Sequence, residues 1–276
     1  MKRIAILLAT YNGGSRLSVL LNSLQQQTYH DWTLYIHDDG STDDTLDVCG
    51  TFMSTDSRIV LLHDTVAHRG AKKSFIWLLE NTHADYYMFC DQDDLWLPSK
   101  IEQSFNHIRK QEILYPNSPI CVHTDLAVCD KHYNVVANSL WKLSKTNPRV
   151  LETIGYLQVF NCVTGCTMIF NKKAKDAAFP FEDVAPMHDF WVAYQTLLKN
   201  GHLTHLNIST ILYCQHENNV VGANSVGYAY LLDKMGNAGQ VVRRNIANYR
   251  IMHNISGISA WHYFKYKVMY EIRRFF

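Results

Sequence analysis

The feature that most constrains this chain is the alternation of strand-like and helix-like segments in its N-terminal part. Four strand-like runs, "RIAILLAT", "WTLYIH", "RIVLLH" and "DYYMFC", are separated by helix-like stretches at Arg16–Gln27, Thr45–Met53 and Lys72–Asn81. In the first of these, Leu17, Leu20, Leu21 and Leu24 recur at helical spacing, so one face is apolar. A β-α-β-α-β-α-β order predicts an α/β fold with a mostly parallel, doubly wound sheet and right-handed crossovers. Ligands of such sheets bind outside the carboxyl ends of the strands. Those ends here read "ATYNGG", "HDDGSTDD" and "CDQDD", so the unusual chemistry collects on one edge.

The run "YYMFCDQDDLWLP" enters three carboxylates directly from a strand that reads as covered on both faces. Repulsion among Asp91, Asp93 and Asp94 disfavours the cluster unless something positive meets it. Carboxylates two residues apart at a strand end can converge on a hard divalent cation, Mg²⁺ or Mn²⁺, together with phosphate oxygens. A solvated acidic turn ahead of a helix is the plain structural alternative. In "HDDGSTDD", Gly40 permits a tight turn and Ser41 or Thr42 can cap the next helix. Capping needs only one of these groups, so Asp38 or Asp39 is left to accept a base N–H or a ribose hydroxyl. Tyr11 offers a ring for stacking on a base.

After Pro98 the regularity loosens. "ICVHTDLAVCD" and "CTMIF" read as strands, "HDFWVAYQTLLKNG" as a helix stopped by Gly201, and "HLTHLNISTILYCQH" as one or two further strands. No repeat or linker is visible. The simplest division is a domain over 1–221, with a nucleotide-binding part over about 1–98 and an acceptor part over about 99–221, followed by a helical tail over 222–276. The 47% apolar content supports a sizeable core. The seven cysteines include no Cys-x-x-Cys, which predicts buried thiols rather than a disulfide framework or structural zinc. No signal peptide or membrane span is evident, and the expectation is a cytoplasmic protein.

Six segments in order, "ATYNGG", "DDGSTDDT", "DQDDLW", "VTGCTMIF", "HDFW" and "CQHENNVVG", resemble a family 2 glycosyltransferase of the glycosyltransferase A-type fold. The "DQDD-x-W" and "QH-x-x-N-VVG" forms look most like its bacterial rhamnosyltransferase-like branch. The resemblance implies that Thr10, Tyr11 and Asn12 line a nucleotide pocket and that Asp39, or Asp38, reads the pyrimidine. It places Asp91 and Gln92 on the nucleotide sugar. Asp93 becomes a ligand of Mn²⁺ or Mg²⁺, with His216 approaching the metal or diphosphate from the other side. Asp189 becomes the base of an inverting transfer. dTDP-rhamnose is the favoured donor, with a UDP-hexose or UDP-N-acetylhexosamine as the alternative, and the acceptor is a glycan or a polyprenyl-linked molecule. Three positions depart from the pattern: His68 and Ser74 replace asparagines, and Cys214 stands where an Arg is common. Arg69 and Lys72 are the nearby cations, and neither is assigned a role.

Net charge is +1, yet Leu231–Phe276 holds eight Lys or Arg against two acids, leaving 18 against 23 elsewhere. Aromatics among these cations suit an anionic membrane surface, and an ordinary helical extension packed on the catalytic domain fits equally. Nucleic acid fits less well as a partner and is not expected, since the acidic body offers no basic stripe. Nucleotidyltransfer fits poorly, because "ATYNGGSR" lacks a glycine-rich phosphate loop followed by cations. A nucleotide-sugar-binding subunit without turnover is the non-enzymatic rival.

Overall fold

The structure, a computed structural model, describes residues 3–66, 68–130, 132–214 and 238–274. Strand β1 (Ile4–Thr10) leads into helix α1 (Gly14–Gln25), then β2 (Trp32–Asp38), α2 (Thr45–Thr55), β3 (Ile59–Leu61), α3 (Ala71–Asn81) and β4 (Tyr86–Asp91). These are the alternating elements read from the sequence, with β3 shorter than its apolar run. A two-residue strand β5 (Leu95–Trp96) and helix α4 (Lys100–Leu114) follow. The remainder comprises β6 (Ile120–Cys129), β7 (Val135–Ala137), α5 (Leu140–Ser144), α6 (Ile154–Leu157), β8 (Ile169–Asn171), α7 (Lys172–Ala178), α8 (His188–Leu198) and β9 (His202–Cys214). Two helices, α9 (Ala238–Ser256) and α10 (Ala260–Arg273), close the described chain.

Among the described residues, nine strands form one sheet in the order β3-β2-β1-β4-β8-β6-β9-β5, with β7 on β6. The long ladders, β1 with β2 and β4 and β6 with β9, are parallel. Short antiparallel contacts of β8 with β4 and with β6 splice the two parallel sets together. The sheet is therefore mixed, and its parallel character resides in β1–β4 and the β6–β9 pair. The splice was not legible, because a three-residue strand carries no periodicity.

Strand alternation sorts the core onto two faces. Ile4, Ile6 and Leu8 of β1 pack with Leu34, Met88 and the leucines of α1, together with Ile101 and Ile108 of α4. Ala5 and Leu7 face Phe75 and Leu78 of α3 and Trp191 and Tyr194 of α8. This three-layer packing holds the carboxyl ends of β1, β2 and β4 rigidly side by side. After α8 the left-handed residue is Asn200 (φ 56°). Gly201 is required for a different reason: a Cβ there would meet Pro119 O at 2.4 Å.

The two C-terminal helices pack on the rest of the described chain through α10. Tyr263 and Tyr270 are buried, Tyr270 stacks on Phe160 at 4.7 Å, and Tyr266 meets Tyr156 edge-on at 5.1 Å. Gly155 in α6 makes room for this, since a Cβ there would sit 2.5 Å from the Tyr266 ring.

One expectation is corrected. Cys129 and Cys214 are not thiols but a disulfide joining directly paired residues of β6 and β9, with Cα atoms 4.7 Å apart. The separation of 85 residues hid the pair, because only strand register brings the two together. Titration of the denatured, unreduced protein should count five thiols, those of Cys49, Cys90, Cys121, Cys162 and Cys166. A count of seven before reduction would show that the bond does not form.

Candidate active site

The three acidic and glycine-rich loops are knitted to one another by side chains that would otherwise read as ligand groups. Gln92 donates to Tyr11 O at 3.1 Å and accepts from Tyr11 N at 2.9 Å, clamping the ends of β1 and β4 together. Gly13 must lack a side chain for this, since a Cβ would lie 2.8 Å from Gln92 Oε1. Asn12, at φ 48°, accepts from Thr42 N at 2.8 Å, and its own N–H donates to Ser41 Oγ. Ser41 and Thr42 thus brace the β1 loop and do not cap α2, which has Asp44 at its N-cap and no side-chain cap bond.

Asp38 and Asp39 separate cleanly. Asp38 accepts from Gly40 N, Ser41 N, Ser41 Oγ and Thr10 Oγ1 at 2.5–3.1 Å. It folds back on its own turn, which Gly40 permits at φ 90°, and it does not line the cavity. Its oxygens are taken up by these four donors, whereas its neighbour Asp39 is placed differently. Asp39 does line the cavity. Each of its oxygens accepts one backbone N–H, from Arg69 at 2.7 Å and Gly70 at 2.8 Å. A carboxylate oxygen has a second lone pair, so Asp39 is held in place with acceptor capacity remaining.

The DQDD stretch divides in depth. Asp91, Gln92 and Asp93 line the cavity, whereas Asp94 and Trp96 turn inward and are buried. Asp94 sits with the Cys166 thiol, ligand atoms of Asp91, Asp94 and Cys166 lying within 4.8 Å of one another. The buried Lys100 ammonium rests 4.5 Å from the Trp96 ring centroid and adds positive charge to this cluster. Burial first, then the charges of Asp93 and Asp189, push the Asp91 carboxyl above the ordinary range. Burial and the neighbouring Asp91 and Asp93 push Asp94 up in the same direction.

Asp189 occupies the first turn of α8 and lines the same cavity. Its Oδ1 accepts from Phe190 N at 2.6 Å and its Oδ2 from Gly165 N at 3.0 Å. Burial raises its pKa above the usual carboxylate value, and these two N–H groups partly offset the rise. The "VTGC" segment therefore supports Asp189 through the Gly165 N–H, and a Cβ on Gly165 would press on His188 Nε2 at 3.2 Å. Its glycine was a visible signal whose purpose only the fold reveals.

These groups surround one cavity of about 1650 Å³. Thr10, Tyr11, Asn12, Asp39, Asp91, Gln92 and Asp93 form one side; Gly165, His188 and Asp189 form another; α9 and α10 add Arg244, Phe264 and Lys267. Tyr11 is half exposed and meets His68 edge-on at 5.8 Å. Arg69 and Lys72 are turned elsewhere: Arg69 pairs with Asp64, and Lys72 donates to the carbonyls of Asp183 and Ala185. His216 lies outside the described residues.

The sequence profile described as Glycosyl transferase family 2 matches residues 5–176, the stretch that includes the loops after β1 and β2, the DQDD edge and Gly165. The chain belongs to glycosyl transferase family 2. Among its relatives, the dTDP-rhamnosyl transferase RfbG of Shigella flexneri is 29% identical over 236 residues, covering 79% of this chain and 74% of that protein. The UDP-Glc:alpha-D-GlcNAc-diphosphoundecaprenol beta-1,3-glucosyltransferase WfgD of Escherichia coli is 26% identical over 212 residues, covering 75% and 74%. The S. aureus TarS 1–349 complex with UDP-GlcNAc superposes with a TM-score of 0.59 at 18% identity, over 79% of this chain and 60% of that one. The mannosyltransferase PcManGT of Pyrobaculum calidifontis, solved with GDP-Man and Mn²⁺, gives 0.58 at 16% over 79% and 58%. At these identities the two structures show a shared glycosyltransferase A-type fold.

Members of family 2 often use a divalent metal, and the donor set here can be tested for one. Asp91 and Asp93 line the cavity, and after burial, the larger cause, the neighbouring charges of Asp93 and Asp189 also push the Asp91 carboxyl up. Hard oxygen donors and excess negative charge fit Mg²⁺ or Mn²⁺. The deeper Asp91–Asp94–Cys166 set does not, since it pairs a soft thiol with a nearby ammonium.

Proposed function

We propose that this family 2 enzyme is an inverting glycosyltransferase that moves a sugar from a nucleotide diphosphate donor to an acceptor hydroxyl. dTDP-rhamnose is the favoured donor, on the likeness to RfbG; a UDP-hexose or UDP-N-acetylhexosamine is the alternative, on the likeness to WfgD. The acceptor is a growing cell-surface glycan or its polyprenyl-linked precursor. The observation that carries the reading is that Asp189 shares one cavity with Asp39, Asp91 and Asp93 while standing on a different element, the N-terminal turn of α8.

In this assignment Tyr11 stacks on the base, Asp39 accepts its N–H, and Asp91 orients the donor sugar. Gln92 acts indirectly, by holding the β1 and β4 loops in register. Asp93 would hold Mn²⁺ or Mg²⁺, which supplies charge neutralisation for the departing diphosphate. Asp189 takes the proton from the acceptor oxygen as that oxygen bonds to the anomeric carbon and the diphosphate oxygen leaves. A single base acting opposite the leaving group inverts the anomeric configuration. The raised pKa of Asp189 makes it a stronger base than an exposed aspartate.

Calorimetry with dTDP and UDP, with and without Mn²⁺, tests the donor side. Metal-enhanced binding of one nucleotide is expected and would fix the nucleotide class. Folded protein that binds neither would reduce the DQDD edge to an acidic turn and remove the transferase reading.

A further inference from the structure

We propose that the outward face of α10 docks the enzyme on an anionic lipid bilayer. The helix has two apolar faces. Tyr266 and Tyr270 turn inward onto Tyr156 of α6 and Phe160, and the buried Tyr263 packs on Tyr249 of α9. On the other side, Trp261, Phe264, Val268 and Ile272 recur three or four residues apart and are 73%, 39%, 61% and 57% exposed. A helix that only covers a core shows charged and polar groups outward. An exposed tryptophan continuing into an aliphatic stripe is instead the pattern of a helix lying in a membrane interface.

Charge identifies the occupant. Residues 238–274 carry seven Lys or Arg and a single acid, Glu271, on a chain whose remainder is net negative. Lys265 sits within the α10 stripe, and Arg243 and Arg250 flank exposed Val242 and Ile246 on α9. Cations edging an apolar stripe fit anionic headgroups above acyl chains. Fourteen residues of α10 span only about 21 Å. Among the described residues no helix is long and apolar enough to cross a membrane. The helix therefore lies on the bilayer.

Phe264, Val268 and Ile272 also line the cavity that holds Asp189, so docking through this face sets the cavity beside the lipid surface. If the proposed reaction holds, a lipid-linked acceptor reaches Asp189 from that side without leaving the membrane.

The test is co-sedimentation of the full chain with phosphatidylcholine vesicles lacking or containing about a quarter phosphatidylglycerol, at low salt and at about 1 M salt. Binding to the anionic vesicles only, released by salt, is expected. Arg243→Gln with Arg250→Gln should weaken it about thirtyfold, and Trp261→Ser with Val268→Ser and Ile272→Ser about tenfold or more. All five side chains are exposed, so melting temperatures should match the parent protein. No binding, or equal binding to neutral vesicles, overturns the proposal. So does sedimentation velocity showing that the stripe variant turns a dimer into a monomer while vesicle binding is unchanged. Vesicle binding without nucleotide binding would remove the transferase reading alone; nucleotide binding without vesicle binding would remove the docking face alone.

Discussion

Asp189→Asn is expected to lower sugar transfer by about 10²–10⁴-fold, the usual span for a general base, while leaving dTDP or UDP affinity unchanged. The amide keeps an oxygen acceptor for only one of the N–H groups of Phe190 and Gly165, and it cannot receive the acceptor proton. Binding and transfer should therefore part company, which a folding defect would not produce. The pH profile gives a second check. Asp189 acts deprotonated, and burial places its pKa above the ordinary carboxylate value. Activity should accordingly fall as pH drops through a value displaced toward neutrality, and the Asn variant should lose that acid limb. Transfer by Asp189→Asn at the parental rate would refute the base assignment.

The second large effect belongs to Asp93→Asn. Outer-shell partners of a metal ligand alone are worth about 10–100-fold in metal affinity. Loss of a direct carboxylate should abolish the Mn²⁺-dependent increment in nucleotide binding by at least the upper end of that range. Calorimetry should show the metal-free affinity little changed, since the proposed assignment gives nucleotide recognition to Tyr11 and Asp39, which line the cavity from other loops. Asp94→Asn is the control: its carboxyl is buried with Cys166, so it should affect stability and leave the metal response in place. Reversal of the two results, with Asp94→Asn losing the Mn²⁺ response and Asp93→Asn keeping it, would reassign the ligand.

The departures from the family pattern acquire physical meanings in the fold. Ser74 is buried and lines the cavity, and His68, at φ 59°, presents its ring to Tyr11. Ser74 therefore borders the cavity itself, and His68 touches it only through the Tyr11 ring. Cys214 is accounted for by its bond to Cys129 and not by the cavity.

The alternation of strands and helices, and with it the gathering of Thr10, Asp39, Asp91 and Asp93 on one edge, followed from the sequence alone. Parallel βα units force the carboxyl ends of their strands together, and periodicity reveals such units locally. Asp189 and the basic charge of the tail were visible as residue types. Which of two adjacent aspartates faces the cavity was not visible: Asp38 is consumed by its own turn, and Asp39 is held by backbone donors thirty residues away. Gln92 serving as a clamp, Lys72 pinning the loop ahead of α8, and the meeting of Cys129 with Cys214 depend equally on partners distant in sequence. The outward stripe of α10 became distinguishable from its inward one only when Tyr263 and Tyr270 were found against the core. Local periodicity determines which elements form and which way their apolar faces point. Hydrogen bonds and burial between distant segments decide which polar groups remain available to a substrate, because each such group is taken up by whichever partner the packed layers bring within reach.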